Sequence, residues 1–406
     1  MRILVQKFGG TSVSTVENRR LAAEKISHAI EEGFRPVVVV SAMGRKGQPY
    51  ATDTLIGVAK DSHSLLSRRE LDMMMGCGEI ISSVVMASTL QEFGIDAVVL
   101  TGGQAGIITD NQYGNAKILR INPSRIKKEL AAGKVPVVCG FQGMTAEGDL
   151  TTLGRGGSDT TASALGAALP AEMIEIYTDV DGIMTADPRV APKAHILDMI
   201  SYAEVSQLAQ QGAKVIHPRA VEFAMQKNIP VVVKSTFSDA PGTLITTTAQ
   251  VTESSDTLIS DRIATGVTYV KDIIQIKAEL SADNAHADSS RIFKLLANAG
   301  INVDLINVLP RQLLFTVQED DAQETKQCLG AAGYRLTTLE KCAKVSVVGG
   351  GMGDVPGVMA SFVEALAAKK IPLLQTGDSQ TSISALIDGK HLEIAVSALH
   401  SQFGLD

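Results

Sequence analysis

The strongest constraint on this chain is the alternation in its first 245 residues, where short runs of β-branched residues are separated by stretches of helical spacing. "ILVQKF", "PVVVVSAM", "IDAVVL", "VPVVCGF", "EMIEIYT" and "IPVVVKST" read as strands. Segments such as "STVENRRLAAEKISHAIEEG" read as the helices between them, here with Ser14 as cap and Gly33 as stop. Parallel neighbours need a long crossover, and a helix supplies it. The expected fold class is therefore α/β, with a central, mostly parallel sheet.

The pattern stops near Ala240, where "APGTLITTTAQVTESSDTLISD" carries many hydroxyls and little periodicity, as a domain boundary does. An internal repeat follows. "SSRIFKLLANAGINVDLINV" and "PGVMASFVEALAAKKIPLLQT" match at an offset of 70 residues, pairing Ile292 with Phe362, Leu296 with Leu366 and Ile301 with Ile371. The expected division is a first domain over 1–245, a linker over 246–262, and two copies of one small α+β unit over 263–341 and 342–406.

A chain of 406 residues is long enough for two or three cores. Its formal net charge of −7 argues against a nucleic-acid partner, which would need clustered Lys and Arg. No apolar run approaches the ~18 residues of a spanning helix, so no membrane partner is expected. The opening "MRILVQKFGG" lacks the apolar region of a secretory signal, so the expected location is cytoplasmic. Cys77, Cys139, Cys328 and Cys342 show no metal-ligand or CxxC spacing and read as reduced thiols. The chain also lacks a GxxxxGK[ST] loop, a GxGxxG after a strand, an HExxH and a GxSxG elbow. "GGGMGDVPG" has the wrong spacing for a dinucleotide loop and reads as a tight turn.

Several stretches can carry chemistry. "VQKFGGTS" sets Lys7 and Phe8 at a strand end, directly before Gly9 and Gly10. Glycines let backbone N–H groups approach an oxyanion, and a lysine beside them suits a phosphate; without the lysine the same glycines are a plain turn. "TTLGRGGSDTTA" starts another helix, with Ser158 or Asp159 as cap candidate, and Arg155 offers a fork for a carboxylate or phosphate. An Arg155–Asp159 ion pair on a capped helix is the plain alternative. Lys7, Ser41, Thr101, Phe141, Thr178 and Asp179 all fall at or past the carboxyl ends of expected parallel strands, where open α/β sheets bind ligands. "YTDVDGIMTADPR" suits a ribose or an adenine edge, and "KVIHPRA" adds Lys214, a structural His217, and Pro218 at a helix start. Glu79 in "GCGEIIS" is either a site residue or a first-turn acid of an apolar helix.

Taken in order, "KFGGTS", "VVVSAMG", "TTLGRGGSDTTA", "YTDVDGIMTADPR" and "KVIHPRA", followed by repeats ending in "KVSVVGGGM", resemble the aspartokinases over essentially the whole chain. The resemblance implies an amino acid kinase fold followed by two ACT domains, βαββαβ modules that regulate by binding amino acids. It implies transfer of the γ-phosphoryl of ATP, with Mg2+, to the β-carboxylate of L-aspartate. By the same resemblance Lys7 stabilises the transferring phosphoryl group, Phe8, Gly9 and Gly10 line the phosphates, and Ser41 lies close to ATP. Arg155, with Gly156 and Gly157, holds the α-carboxylate of aspartate. Ser158 lies between substrate and nucleotide, and Asp159 and Glu79 engage the amino group or orient the cations. Phe141 walls the aspartate pocket and Thr52 touches substrate, although "RKGQPYA" before it is longer than in several relatives. Thr178, Asp179, Met184, Asp187 and Arg189 surround adenosine, with Lys214 near the phosphates.

The repeats imply an amino-acid effector and a homodimer or larger oligomer paired through ACT sheets. The first copy has Ser289 and Ser290 where many ACT domains carry Pro-Gly, and "LLQTGDSQTSIS" in the second resembles the aspartokinases sensitive to meso-diaminopimelate. Lysine or threonine is the alternative effector. A sensor without turnover is the alternative function, one that would not need Lys7, Arg155, Asp159 and Lys214 together.

Overall fold

The structure is a computed structural model that describes residues 1–61, 66–213, 215–248, 251, 263–281, 284–352 and 355–406. It divides into two compact units. One comprises Met1–Ile183, Ile196–Ala209 and Lys214–Ile259; the other comprises Met184–His195, Gln210–Ala213 and Ser260–Asp406. Residues 184–195 and 210–213 lie inside the expected first domain but cluster with the second unit, and most of the expected linker lies outside the described residues.

The first unit is built on an eight-stranded sheet. Its strands are β1 (Ile3–Phe8), β2 (Arg35–Val40), β3 (Ala97–Leu100), β6 (Val135–Cys139), β9 (Met173–Thr178), β10 (Met199–Ser201), β11 (Val231–Ser235) and β12 (Thr243–Thr246). The small strands β4 (Ile107–Thr109), β5 (Ile118–Ile121), β7 (Gln142–Met144) and β8 (Leu150–Thr152) form a separate four-stranded sheet. In the large sheet the order is β10-β12-β11-β9-β1-β2-β6-β3, and every pairing is parallel except β11 with β12. A parallel sheet covered on both faces needs continuous apolar strands, and every residue of β1 is buried.

Seven helices of this unit enter the account: α1 (Val16–Glu31), α2 (Thr52–Asp61), α3 (Arg68–Glu92), α4 (Ser124–Ala131), α5 (Gly157–Ala168), α6 (Tyr202–Gln210) and α7 (Pro218–Met225). Ala22, Ala23 and Ile26 of α1 and Met86 and Leu90 of α3 pack on Phe8, Val38, Val40 and Val137 of the sheet. Each large apolar side chain buried this way contributes roughly 1.5–3 kcal/mol. The cap of α1 is Thr15, whose hydroxyl accepts from Asn18 N at 3.1 Å; the expected cap, Ser14, instead donates to Thr11 O at 2.9 Å. Helix α3 is long and apolar enough to cross a membrane by length and composition, but half of its apolar window is buried within the unit. It carries Asp72 and Glu79 inward, as a core helix does.

The second unit contains a six-stranded antiparallel sheet of β13 (Gly266–Glu279), β14 (Asp304–Leu309), β15 (Gln312–Gln318), β16 (Leu336–Val348), β17 (Gln375–Asp378) and β18 (Ser382–Asp388), in the order β14-β15-β13-β16-β18-β17. That order is symmetric about the β13–β16 pair, as a sequence repeat requires. Ile292, Leu296 and Ile301 lie in one core with Phe315 and Leu329. Their repeat partners Phe362, Leu366 and Ile371 lie in a second core with Val345 and Leu399. The two long central strands serve both cores: Val267 of β13 joins the second, whereas Ile274 and Ile276 of the same strand join the first.

Candidate active site

Strand β1 delivers Lys7 and Phe8 to the carboxyl edge of the sheet, and Gly9 and Gly10 turn the chain there. Gly9 N donates to Tyr177 O at 3.1 Å, Ser41 N to Phe8 O at 3.1 Å, and Gly44 N to Gly10 O at 2.9 Å, so the turns after β1, β2 and β9 lie against one another. A Cβ on Gly10 would meet Ala42 O at 2.7 Å and Gly44 O at 2.8 Å, so only glycine fits. Lys7 is nearly buried, and its ammonium lies 2.7 Å from Asp159 Oδ1 on α5. The plain alternative of an Arg155–Asp159 pair does not hold: Asp159 pairs with Lys7, whereas Arg155 is exposed and its guanidinium has no ion pair among the described residues.

Helix α5 begins at Gly157 with Gly156 at the cap position in left-handed conformation, φ 68°, and without a side-chain cap. The cap expected at Ser158 or Asp159 is therefore absent, because both lie within the first turn. The two glycines are required for different reasons. A Cβ on Gly156 would strike the His217 ring at 2.3 Å, and one on Gly157 would lie 2.6 Å from the Phe141 ring. Phe141 also adopts a left-handed backbone, φ 68°, which is strained for a side chain of its size. Its N–H donates to Thr161 Oγ1 at 3.1 Å and its carbonyl accepts from Leu153 N at 2.9 Å, which fixes the ring over the start of α5. Ser158 is buried against the end of β6, where a Cβ on Gly140 would lie 2.8 Å from its hydroxyl.

Glu79 lies in the middle of α3, not in a first turn, because the helix starts eleven residues earlier at Arg68. Its Oε1 accepts from Ala42 N at 3.1 Å, and its buried Oε2 has no hydrogen-bond partner among the described residues. Burial pushes this carboxyl up to about 8. A group so placed is ready to receive a cation. Thr52 opens α2 and is half-buried after the loop "RKGQPYA", which closes on itself as Gln48 Oε1 accepts from Arg45 N at 2.7 Å.

Thr178 and Asp179 end β9. Asp179 forms an ion pair with Arg45, a residue that no motif singled out, and Arg45 Nε also reaches Thr11 Oγ1 at 3.4 Å. A cation in an unusually long loop after a strand was the signal available for it. Met184, Asp187 and Arg189 belong to the second unit. There the Arg189 side chain, and Tyr269 Oη at 2.7 Å, hold Asp187 at about 2, below the usual carboxylate range. Lys214 lies outside the described residues. His217 caps α7 by accepting from Arg219 N at 3.3 Å, with Pro218 at the first helical position; burial holds its ring below the ordinary imidazole value.

Two residues that sequence reading passed over fix the backbone just before Arg155. Asp72, fully buried on α3, accepts from Thr152 N at 2.7 Å, Thr152 Oγ1 at 2.9 Å and Gly114 N at 3.0 Å. Arg219 on α7 donates to Leu153 O at 2.7 Å and Ala116 O at 3.2 Å. The assembled edge thus sets a near-buried lysine, glycine-lined turns, a free guanidinium and a half-satisfied carboxyl around one end of the sheet. Such a set can neutralise a phosphate and grip a small zwitterion.

Comparison with known proteins agrees with that chemistry. Residues 2–235 match the amino acid kinase family and residues 338–401 match the ACT domain. Aspartokinase 1 of Bacillus subtilis is 48% identical over 405 residues, covering all of both chains, and an aspartokinase of Thermus thermophilus is 39% identical over 417 residues, again with full coverage of both. The crystal structure of E. coli aspartokinase III in complex with aspartate and ADP superposes with a TM-score of 0.81 at 25% identity, over 99% of each chain. The chain belongs to the aspartokinases of the amino acid kinase family and carries their ACT module.

Proposed function

We propose that the strand-end constellation around Lys7 performs the phosphoryl transfer of this aspartate kinase. A β-carboxylate oxygen of aspartate attacks the γ-phosphorus in line; that O–P bond forms as the bond to the β–γ bridging oxygen breaks, and ADP leaves with the electron pair. Aspartate's carboxylate is ionised at neutral pH, so no general base is required, and the protein's part is alignment and charge neutralisation. Lys7 meets the transferring group, with Asp159 directing its ammonium. The Gly9–Gly10 turn and Ser41 take the phosphates, and Thr178 and Asp179 take the nucleoside. Arg155 holds the α-carboxylate, with Gly156, Gly157 and Ser158 beside it. Glu79 receives the substrate ammonium, Phe141 walls the pocket, and Thr52 completes it. Met184, Asp187, Arg189 and Lys214 are assigned to the nucleotide on the resemblance. The Lys7–Asp159 pair, 2.7 Å apart at the glycine turn, is the observation that carries this reading.

Mg2+ bound with ATP would supply further charge neutralisation beside Lys7. Among the described residues no three His, Cys, Asp or Glu side chains converge on one point.

The ACT unit makes the enzyme subject to feedback by an amino acid, and we assign meso-diaminopimelate on the segment "LLQTGDSQTSIS", which spans β17 and the start of β18. Lysine is the second reading, because a related structure, E. coli aspartokinase III, was solved in complex with lysine and aspartate in its T-state. We further assign pairing of two or more copies through ACT sheets; the outer strand β14 exposes Ile306, Val308 and Leu309, an edge that soluble proteins usually cover. Its proposed substrates, free aspartate and ATP, fit a cytoplasmic location. ADP release from MgATP and L-aspartate, titrated separately with meso-diaminopimelate, lysine and threonine, tests the assignment. Inhibition by diaminopimelate alone supports it, and inhibition by another amino acid replaces the effector.

A further inference from the structure

We infer that Arg219 is a positioning residue for aspartate: its guanidinium sets the direction of Arg155 by tying the backbone of the Leu153–Gly157 turn to the Gly114–Ala116 turn. The inference rests on the reading that Arg155 holds the α-carboxylate of the substrate. Arg155 is exposed and its guanidinium has no ion pair among the described residues, so its own neighbours fix its direction poorly. Its aim depends on the backbone beneath it.

That backbone is held from two sides. On one side Asp72 binds Thr152 N, Thr152 Oγ1 and Gly114 N, and Ala116 N donates to Thr152 O at 2.9 Å, so the two turns are already laced at the residue before Leu153. On the other side Arg219 closes the gap: Nη1 reaches Leu153 O at 2.7 Å and Asn115 Oδ1 at 3.5 Å, and Nη2 reaches Ala116 O at 3.2 Å. The preceding His217 ring fills the space where any side chain on Gly156 would stand. Arg219 is therefore two residues from the contact that blocks Gly156 and bonded to the carbonyl two residues before Arg155. A planar fork can hold two carbonyls on separate segments at once, and an ammonium is a point charge without that geometry. Losing the fork frees the turn to drift, and a displacement of ~1 Å at a substrate-gripping group can cost up to about a hundredfold in rate.

The test compares Arg219→Lys and Arg219→Met with Arg155→Lys in the full-length enzyme. Aspartate KM, ATP KM and kcat are measured for each, together with the preference for L-aspartate over its α-carboxamide analogue. The thermal midpoint of each variant is recorded. Both Arg219 variants are expected to raise aspartate KM about five- to thirtyfold, to change ATP KM less than twofold, and to narrow the preference for the α-carboxylate. A variant that lowers the thermal midpoint but leaves that preference intact overturns the inference, because it shows a structural role only. An equal rise in both KM values overturns it too. If Arg155→Lys raises aspartate KM while neither Arg219 variant does, Arg219 does not set its direction. If Arg155→Lys itself leaves aspartate KM and the preference unchanged, the substrate reading of Arg155 fails instead. Should Arg219→Met not fold, Arg219→Lys keeps the charge and carries the same comparison.

Discussion

Among the described residues, six buried side-chain polar atoms lack a hydrogen-bond or ion-pair partner, on Gln6, Arg19, Glu79, Ser82, Gln142 and Ser163, and all belong to the catalytic unit. The regulatory unit buries polar groups too, but there they are paired. Lys344 meets Asp304, Ser346 and Ser384 share a hydrogen bond at 2.8 Å, and Gln375 bonds Gln275 at 2.8 Å and Asn307 at 2.6 Å. Burying an unpaired polar atom costs about 1–3 kcal/mol, so a fold keeps such atoms where a ligand will complete them or where packing leaves no alternative. Glu79 is of the first kind, because its other oxygen binds Ala42 N beside the glycine turn of the strand-end site. The difference teaches where binding free energy is stored in advance. The catalytic unit keeps a half-satisfied carboxyl ready for a charged substrate, whereas the regulatory unit is self-sufficient at rest and an effector must act through residues its fold does not leave unpaired.

Four variants break or sharpen that contrast, and the largest effect falls on Lys7. Lys7→Ala should lower kcat at least about a hundredfold, the scale of losing one electrostatic stabiliser of a transition state. Far-ultraviolet circular dichroism should be unchanged, and turnover near the wild-type value would remove Lys7 from the chemistry. Next comes Arg155→Ala, expected to raise aspartate KM about ten- to a hundredfold, the size of a charge-assisted hydrogen-bond pair. Steady-state kinetics at saturating ATP reads it directly.

Glu79 gives a pH signature. Its folded carboxyl titrates near 8 whereas the unfolded one titrates near 4.5. Between those values the unfolded chain binds fewer protons than the folded one, so this residue's contribution to stability falls as pH rises from about 4.5 to about 8. An incoming ammonium needs the ionised form, so aspartate KM should fall as pH rises toward 8. In Glu79→Gln both slopes should flatten, as thermal melts and KM profiles will record. The smallest effect is on the regulatory side. Gln375→Ala should shift the half-inhibiting effector concentration about two- to tenfold, one neutral hydrogen bond's worth, and leave uninhibited kcat unchanged.

Much of the catalytic unit was legible because its chemistry sits in contiguous motifs at strand ends. "KFGG" and "GRGGSD" announce turns that only glycine can make, because a Cβ on Gly10, Gly156 or Gly157 would clash with its neighbours. Partners were not legible, because ion pairing is decided by tertiary approach. Asp159 is four residues from Arg155 yet pairs with Lys7, 152 residues away and brought alongside by α5 packing on β1. Helix boundaries failed for a similar reason: the first-turn alternative for Glu79 placed a helix start at "GCG", whereas α3 runs through both glycines, Gly78 letting it approach Ala42 closely and Gly76 letting it approach Leu150. In the regulatory unit the repeat was visible as a periodic apolar pattern. The exchange of halves of β13 and β16 between two cores was not, since one strand serving two cores leaves no periodic mark.

The most direct test of the central claim is single-turnover ADP formation from MgATP, with and without L-aspartate, in the wild type and in Lys7→Ala. The strand-end account predicts aspartate-dependent ADP formation in the wild type and its loss, by at least about a hundredfold, in a folded Lys7→Ala protein. Aspartate-dependent ADP formation at the same rate in both proteins would contradict it.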